Sequence, residues 1–354
     1  MKIRRLVVKL GTTSLTGPDG NPDRGRIRKV TDQVAVLAGQ GVQCVVVSSG
    51  AIAAGMHELG LKGRPTDMPG LQAAAAVGQR RLIDLYAALL GSRGITVGQI
   101  LLTQDDMIQR RHYLNARQTV DRLFELGCVP VVNENDTVAT QEIRYGDNDR
   151  LAALVSNLVG ADLLMMLSDV DGLYTAHPGE EGAELVQTVE QITPALMKTA
   201  VGSSRLGSGG MASKLEAARM ATFSGVPAVI ASARRKNVVI DAVAGETVGT
   251  YFKASPNKLQ ARKLWIAWAQ QSHGRIVVDD GAAVALTEGK RSLLTAGVKM
   301  VKGNFKAGDA VEVVTVTDEV IAKGLVGFDS SILAEIAGSK GNREVIHRDQ
   351  MVLM

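Results

Sequence analysis

Cysteines, aromatic residues and long apolar runs are all scarce in this sequence. Only two cysteines occur in 354 residues, Cys44 and Cys128, each inside an apolar run. Two such thiols make no disulfide framework, so a reduced, cytoplasmic protein is expected. Two Trp, five Tyr and five Phe leave few platforms on which single-stranded nucleic acid could stack. No run approaches the ~18 apolar residues needed to span a bilayer. The first apolar stretch, Leu6-Val7-Val8, stops after three residues, too soon for a signal peptide. A soluble protein without a membrane partner is expected. The five histidines, at 57, 112, 177, 273 and 347, share no spacing, and no His/Cys set suits a protein-held metal.

Charge of one sign is also lacking. Forty Lys+Arg stand against 36 Asp+Glu, a net of +4. The stretch from Arg275 to Met354 carries ten basic and eleven acidic residues, without the basic footprint of an RNA-binding module. A local group of Lys290, Arg291, Lys299, Lys302 and Lys306 is the only feature there that favours RNA. A nucleic-acid partner is therefore not expected.

What the chain does have is 45% hydrophobic residues, arranged in a rhythm. Short apolar runs at 6–10, 43–47, 97–101, 129–132, 163–167 and 227–231 alternate with helical patterns at 26–39, 68–90, 115–126, 150–159 and 213–223. Runs that are apolar throughout suit strands buried on both faces of a parallel sheet. The expected fold class is therefore α/β, an αβα sandwich on a mainly parallel open sheet. After residue 252 the pattern changes. Residues 253–273 hold four basic residues, no acidic one and Pro256, as a connector would. Short strands at 275–278, 310–316 and 320–326 then indicate a small β-rich domain. The expected organisation is a first domain over 1–252, a linker over 253–274 and a second domain over 275–354.

In open parallel sheets ligands bind beyond the carboxyl ends of the strands, and the residues at those ends are unusual here. The first strand ends Lys9-Leu10-Gly11-Thr12-Thr13-Ser14, and a lysine inside an apolar strand either meets an anion or snorkels out at the strand end. The second runs into Ser48-Ser49-Gly50-Ala51 and then a small-residue helix, whose N-terminus favours an anionic ligand. The small residues would equally serve close packing. The fourth leads to Asn133-Glu134-Asn135-Asp136, followed by Gly146-Asp147-Asn148-Asp149, where either aspartate could also cap the next helix. These carboxylates and amides suit an ammonium-bearing substrate or the orientation of a lysine. The fifth ends Ser168-Asp169, a candidate nucleotide contact.

A glycine loop, Gly207-Ser208-Gly209-Gly210-Met211-Ala212-Ser213-Lys214, opens an amphipathic helix. It fails the Walker A pattern, because Ala212 stands where a glycine should be, and no strand leads directly into it. Lys214 in the first helical turn opposes the helix dipole unless an anion offsets it. Two lysines, several glycine turns and a carboxylate cluster point to phosphoryl transfer, in which the protein positions reactants and neutralises spreading charge. A carboxylate acceptor would need no general base, being ionised at neutral pH.

Together these motifs, in order and over nearly the whole chain, resemble the amino acid kinase family. Within it they are similar to the members that pass the ATP γ-phosphate to the side-chain carboxylate of L-glutamate, the first step of proline biosynthesis. Uridylate, aspartate and N-acetylglutamate kinases are the alternatives inside the family. The C-terminal Val301-Lys302-Gly303-Asn304-Phe305 and Gly308-Asp309 resemble a PUA domain, a small β-rich barrel.

The resemblance implies that Lys9 and Lys214 bind phosphate and stabilise the transition state, with Asp149 orienting both as the third catalytic group. Ser49, Asp136 and Asn148 would bind glutamate, with Asn133 and Asp147 close by and the Gly50-Ala51 backbone cradling it. Gly11, Ser168, Asp169 and the run Ser208, Gly209, Gly210, Met211, Ala212, Ser213, Lys214 would line the ATP site. Ser168 stands where the family more often carries threonine. ATP is implied as a substrate, with Mg²⁺ bound through its phosphates. Also implied are a homo-oligomer (dimer or tetramer), feedback inhibition by proline, and hand-off of the acyl phosphate to an NADPH-dependent glutamate-5-semialdehyde dehydrogenase.

Overall fold

The structure, a computed structural model, describes residues 2–17, 20–103, 106–107, 109–138, 147–193, 195–197, 210–256, 272–289, 291–339 and 343–353. The chain forms two compact units, Met1–Lys258 and Leu259–Met354.

The first unit is built on eight strands: β1 (Arg5–Leu10), β2 (Gln43–Val47), β3 (Val97–Leu102), β4 (Val129–Glu134), β5 (Leu163–Ser168), β6 (Thr188–Val189), β7 (Ala228–Ser232) and β8 (Gly249–Phe252). Their order across the sheet is β3-β4-β2-β1-β5-β7-β8-β6. Among the described residues of this sheet, only the β7–β8 pair is antiparallel. All six expected strands are present. The short β6 and β8 were not anticipated.

The helices are α1 (Thr12–Leu15), α2 (Arg24–Gly39), α3 (Ala51–Glu58), α4 (Met68–Gly91), α5 (Arg110–Glu125), α6 (Asp147–Leu158), α7 (Met211–Phe223) and α8 (Val238–Ala244). Asp23 and Asp67 cap α2 and α4, each accepting backbone N–H bonds that the first turn would otherwise leave unmade. The two-residue side-chain period of the strands assigns the faces. Leu6, Val8 and Leu10, with Cys44, Val46, Met165 and Leu167, form one core with α2, α4 and α8. Val7, Val45, Val47, Leu164 and Met166, of the opposite parity, are equally buried. There α6 contacts β1, β2 and β5, and α7 contacts β5 and β7. Helices on both faces of a mainly parallel sheet make this an αβα sandwich. The parity also turns Lys9 toward the α6/α7 side.

Of the two cysteines, Cys44 is in this core and burial pushes its thiol up to about 12. Cys128, expected to be a core thiol as well, is only half-buried, because it sits in the turn just before β4.

The small residues after β2 have a packing role. Gly50 takes φ +87°, which lets the chain turn from strand into α3. Within α3, a Cβ on Gly55 would lie 1.7 Å from the Ala74 carbonyl oxygen; on Gly78 of α4 it would lie 1.8 Å from that of Ala51. Glycine at both places lets the two helices touch backbone to backbone. The close packing is thus helix on helix.

The second unit has its own core, including Ile276, Val278, Val311, Val313, Leu333 and Val345. It comprises β9 (Gly274–Val278), β10 (Leu293–Leu294), β11 (Val298–Gly303), β12 (Ala310–Val314), β13 (Val320–Leu325), β14 (Glu344–Ile346) and β15 (Met351–Leu353), with α9 (Asp280–Thr287) and α10 (Ser330–Ile336). Five strands run β11-β9-β12-β13-β15 in one sheet, and β10 pairs with β14. The β12 strand stops at Val314, short of the expected Val316, where Asp318 adopts φ +64° in a tight turn. Of the expected linker, residues 257–271 lie outside the described residues. Lys253 and Ser255 hydrogen-bond to Val189 and Thr222 of the first unit.

Candidate active site

Three elements converge on one buried carboxylate. Lys9 is the last residue of β1 paired on both sides, between Val47 and Met166. Its Nζ lies 2.5 Å from Asp149 Oδ1. Lys214, in the first turn of α7, brings its Nζ to 3.6 Å from Asp149 Oδ2, and the Ser213 hydroxyl donates to the same oxygen at 2.8 Å. Asp149 is fully buried, Lys9 4% and Lys214 8% exposed. Snorkelling does not describe Lys9, and Asp149 is the anion that offsets Lys214 against the helix dipole. Asp149 is the third residue of α6, so it points into this cluster rather than capping the helix.

Burial lowers the Lys9 pKa, with Lys214 adding to that and Asp149 opposing it. Burial alone would raise the Asp149 carboxyl, but Lys9, Lys214 and their hydrogen-bonding neighbours hold it below its ordinary value. Two lysine side chains thus converge on one carboxylate in a water-poor site, where cationic donors suit the oxygens of a phosphoryl group. The α7 N-terminus, with Gly210 as its cap and no acidic residue in the first turn, adds partial positive charge beside it.

A second, uncharged cluster adjoins through the neighbour of Asp149. The Asn148 amide donates to the Ser48 carbonyl at 2.6 Å, to Asn133 Oδ1 at 2.9 Å and to Ser49 Oγ at 3.1 Å. Asn133, buried at the end of β4, donates in turn to Gln79 Oε1 of α4 at 2.6 Å. Ser48 Oγ meets the Tyr86 hydroxyl at 3.1 Å, and Tyr86 is wholly buried. Burial raises the Tyr86 phenol, so it stays protonated.

The structure thus joins Lys9, Asp149, Ser213 and Lys214 in one cluster and Ser49, Asn133 and Asn148 in the next. Gly50 and Ala51 form the turn beside Ser49. Gly11 donates its N–H to the Leu167 carbonyl at 3.3 Å, and a Cβ there would stand 3.5 Å from Lys9 Nζ. Ser168 and Asp169 hydrogen-bond to each other at the carboxyl end of β5, the strand beside β1. Asp136 is half-buried in the turn after β4. Gly210, Met211 and Ala212 open α7. Ser208, Gly209 and the side chain of Asp147 lie outside the described residues. Gln79 and Tyr86 were not anticipated: each lies in the interior of a long helical pattern, with nothing in its neighbours to mark it.

A buried lysine pair around a carboxylate at the carboxyl ends of parallel strands is matched by sequence. A model of the amino acid kinase family fits residues 4–232, and one of the PUA domain fits residues 274–347. The chain belongs to the amino acid kinase family. Among curated relatives of this amino acid kinase, the glutamate 5-kinase of Frankia casuarinae is 48% identical, covering 99% of this chain and 97% of its own. That of Streptomyces coelicolor is 45% identical, with 99% and 96% covered. Among solved structures, a UMP kinase from Bacillus anthracis superposes with a TM-score of 0.50 at 16% identity, covering 72% of this chain and 98% of that one. At that identity the likeness concerns the fold. Among the described residues no helix is long and apolar enough to cross a membrane.

Proposed function

We propose that this amino acid kinase transfers the γ-phosphate of ATP to the side-chain carboxylate of L-glutamate, giving L-glutamyl 5-phosphate. The observation that carries the reading is the Lys9–Asp149–Lys214 cluster beside the amide cluster of Asn148 and Ser49. Two lysines held at one carboxylate suit a transferring phosphoryl group, and neighbouring neutral donors and acceptors suit an amino acid.

A carboxylate oxygen of glutamate attacks the γ-phosphorus while the bond to the bridging β,γ-oxygen breaks, and that oxygen leaves as part of ADP. The acceptor is already ionised, so no proton has to be removed. Lys9 and Lys214 neutralise charge that spreads over the transferring group, the contribution that dominates this chemistry. Asp149 holds both ammonium groups through charge-assisted bonds. Ser49, Gly50, Ala51, Asn133, Asp136, Asp147 and Asn148 form the glutamate subsite. Gly11, Ser168, Asp169 and residues 208–214 form the ATP subsite.

Both Asp149 oxygens face lysines. Mg²⁺ would be carried on the nucleotide phosphates, as is usual for that cation in phosphoryl transfer. When bound there, the cation neutralises phosphate charge.

The assignment extends to an organisation of kinase domain 1–252, connector 253–274 and PUA domain 275–354. It also places the chain at the first step of proline biosynthesis in the cytoplasm, as a homo-oligomer subject to inhibition by proline. An acyl phosphate hydrolyses or cyclises readily, which favours direct hand-off to a reductase. The test is incubation with ATP, Mg²⁺ and glutamate, with trapping of the acyl phosphate by hydroxylamine. Hydroxamate from glutamate, and not from aspartate, N-acetylglutamate or a nucleotide acceptor control, is expected. Its absence with glutamate overturns the reading.

A further inference from the structure

The amide cluster has a direction, and one backbone carbonyl sets it. The Ser48 carbonyl oxygen can only accept, so the Asn148 group facing it at 2.6 Å must be the NH₂ end. That NH₂ also faces Asn133 at 2.9 Å, so the Asn133 atom there must be the carbonyl oxygen. The other end of Asn133 is then NH₂. The Gln79 atom that receives it at 2.6 Å must be Oε1. Each amide orientation follows from the one before, and Gln79 closes the chain on the side away from Ser48.

The same chain decides what the site offers a ligand. The two Asn148 N–H protons are committed to Ser48, Asn133 and Ser49, which leaves the Asn148 carbonyl end as an acceptor. Ser49 Oγ receives from Asn148, so its own proton is available to donate. An acceptor beside a donor is the complement of an α-ammonium beside a carboxylate. If the Asn133 amide turned over, its NH₂ would face that of Asn148, and both settings would be lost.

We infer that Gln79 is a positioning residue for the amino-acid subsite: its Oε1 holds Asn133, and through Asn133 the amide of Asn148, in the sense that a zwitterionic substrate requires. The placement of Gln79 is rigid for a reason already given. It follows Gly78, whose contact with the Ala51 carbonyl locks α4 against the start of α3. About two helical turns further along α4, Tyr86 holds Ser48, the other end of the chain. A single helix thus sets both ends of the relay.

The inference rests on an amino acid being the acceptor, and the experiment separates the two. Wild type, Gln79→Met and Gln79→Glu are compared by steady-state kinetics with glutamate and ATP varied in turn. Methionine keeps the length and loses the acceptor; glutamate keeps an acceptor for the Asn133 NH₂. For Gln79→Met, KM for glutamate is expected to rise roughly ten- to thirtyfold, as when buried polar partners are left unmatched, with KM for ATP within about twofold. Gln79→Glu is expected to recover most of that loss. A Gln79→Met enzyme with unchanged KM for glutamate overturns the inference. So does an equal rise in both KM values, or a Gln79→Glu variant no better than Gln79→Met. Absence of glutamate-dependent turnover in wild type would instead overturn the functional reading, and this inference with it.

Discussion

The first unit keeps its decisive charges inside, whereas the second displays them on a sheet. Lys9 and Lys214 stand 2.5 and 3.6 Å from the Asp149 carboxylate, and all three are all but sealed from solvent. In the second unit Arg275 of β9 bonds Glu312 of β12 at 2.9 Å and Asp318 at 2.8 Å, with Lys302 of β11 at 3.7 Å from Asp318. The contacts are as short, yet Arg275 is 43% and Asp318 54% exposed. The difference is the dielectric around the charges. Water screens the exposed row, so each pair contributes little and is easily exchanged for hydration. Buried charges cannot be exchanged, which makes them costly alone and strong acting together on an anion.

The largest effect expected from this contrast is on catalysis. Lys9→Ala and Lys214→Ala should each lower kcat by about 10²–10³-fold or more, the range for removing one preorganised donor from a transition state. The hydroxamate assay at saturating glutamate and ATP checks it. Near-normal turnover in either variant would show that burial at that position serves the fold and not the phosphate.

The next effect is on stability. Asp149→Asn removes the carboxylate that two buried lysines meet, and breaking a buried ion pair destabilises by about 3–5 kcal/mol. The pH dependence has a definite sign. The carboxyl is held below its ordinary value in the folded chain, so the unfolded chain binds that proton more tightly. The stability it contributes is full above about pH 4 and falls as pH drops through the lower, folded value. Urea midpoints between pH 3 and pH 7 should therefore show the gap between wild type and Asp149→Asn narrowing at the acid end. A gap that stays constant down to pH 3 would remove the ionised carboxylate from the account.

How far the sequence reveals these features depends on whether their cause is local. Strand β2 appears at its expected bounds, and β1, β4 and β5 extend by one or two residues, because an apolar run carries its own signal. The α5 helix begins at Arg110, five residues before the apolar periodicity does, since Arg110-Arg111-His112 offers no apolar residue to read. The two-residue β6 and four-residue β8 are too short for any period. Within the site, Lys9 and Lys214 stood out because a lysine in an apolar strand and one in a first helical turn both violate a local rule. Asp149 was legible by its motif. Gln79 breaks no rule: a glutamine in a helix is ordinary until Asn133, 54 residues away, is brought against it.

The smallest effect belongs to the exposed row, and it completes the comparison. Strands β11, β9 and β12 bring Lys302, Arg275 and Glu312 into one cross-strand register, while Lys323 of β13, next in that register, is buried. By position alone the row looks as deliberate as the buried cluster. Its Arg275–Glu312 pair is nonetheless partly exposed to water at both ends, and a double-mutant cycle on Arg275→Ala and Glu312→Ala in the full chain should give a coupling below about 1 kcal/mol. The coupling should shrink further in 0.5 M salt, where the screening length is only a few ångströms. Glutamate-dependent turnover should not change in either variant. A coupling several times larger, or one indifferent to salt, would mean that the row is shielded from water in the working protein. The second unit's charges would then belong with those of the first.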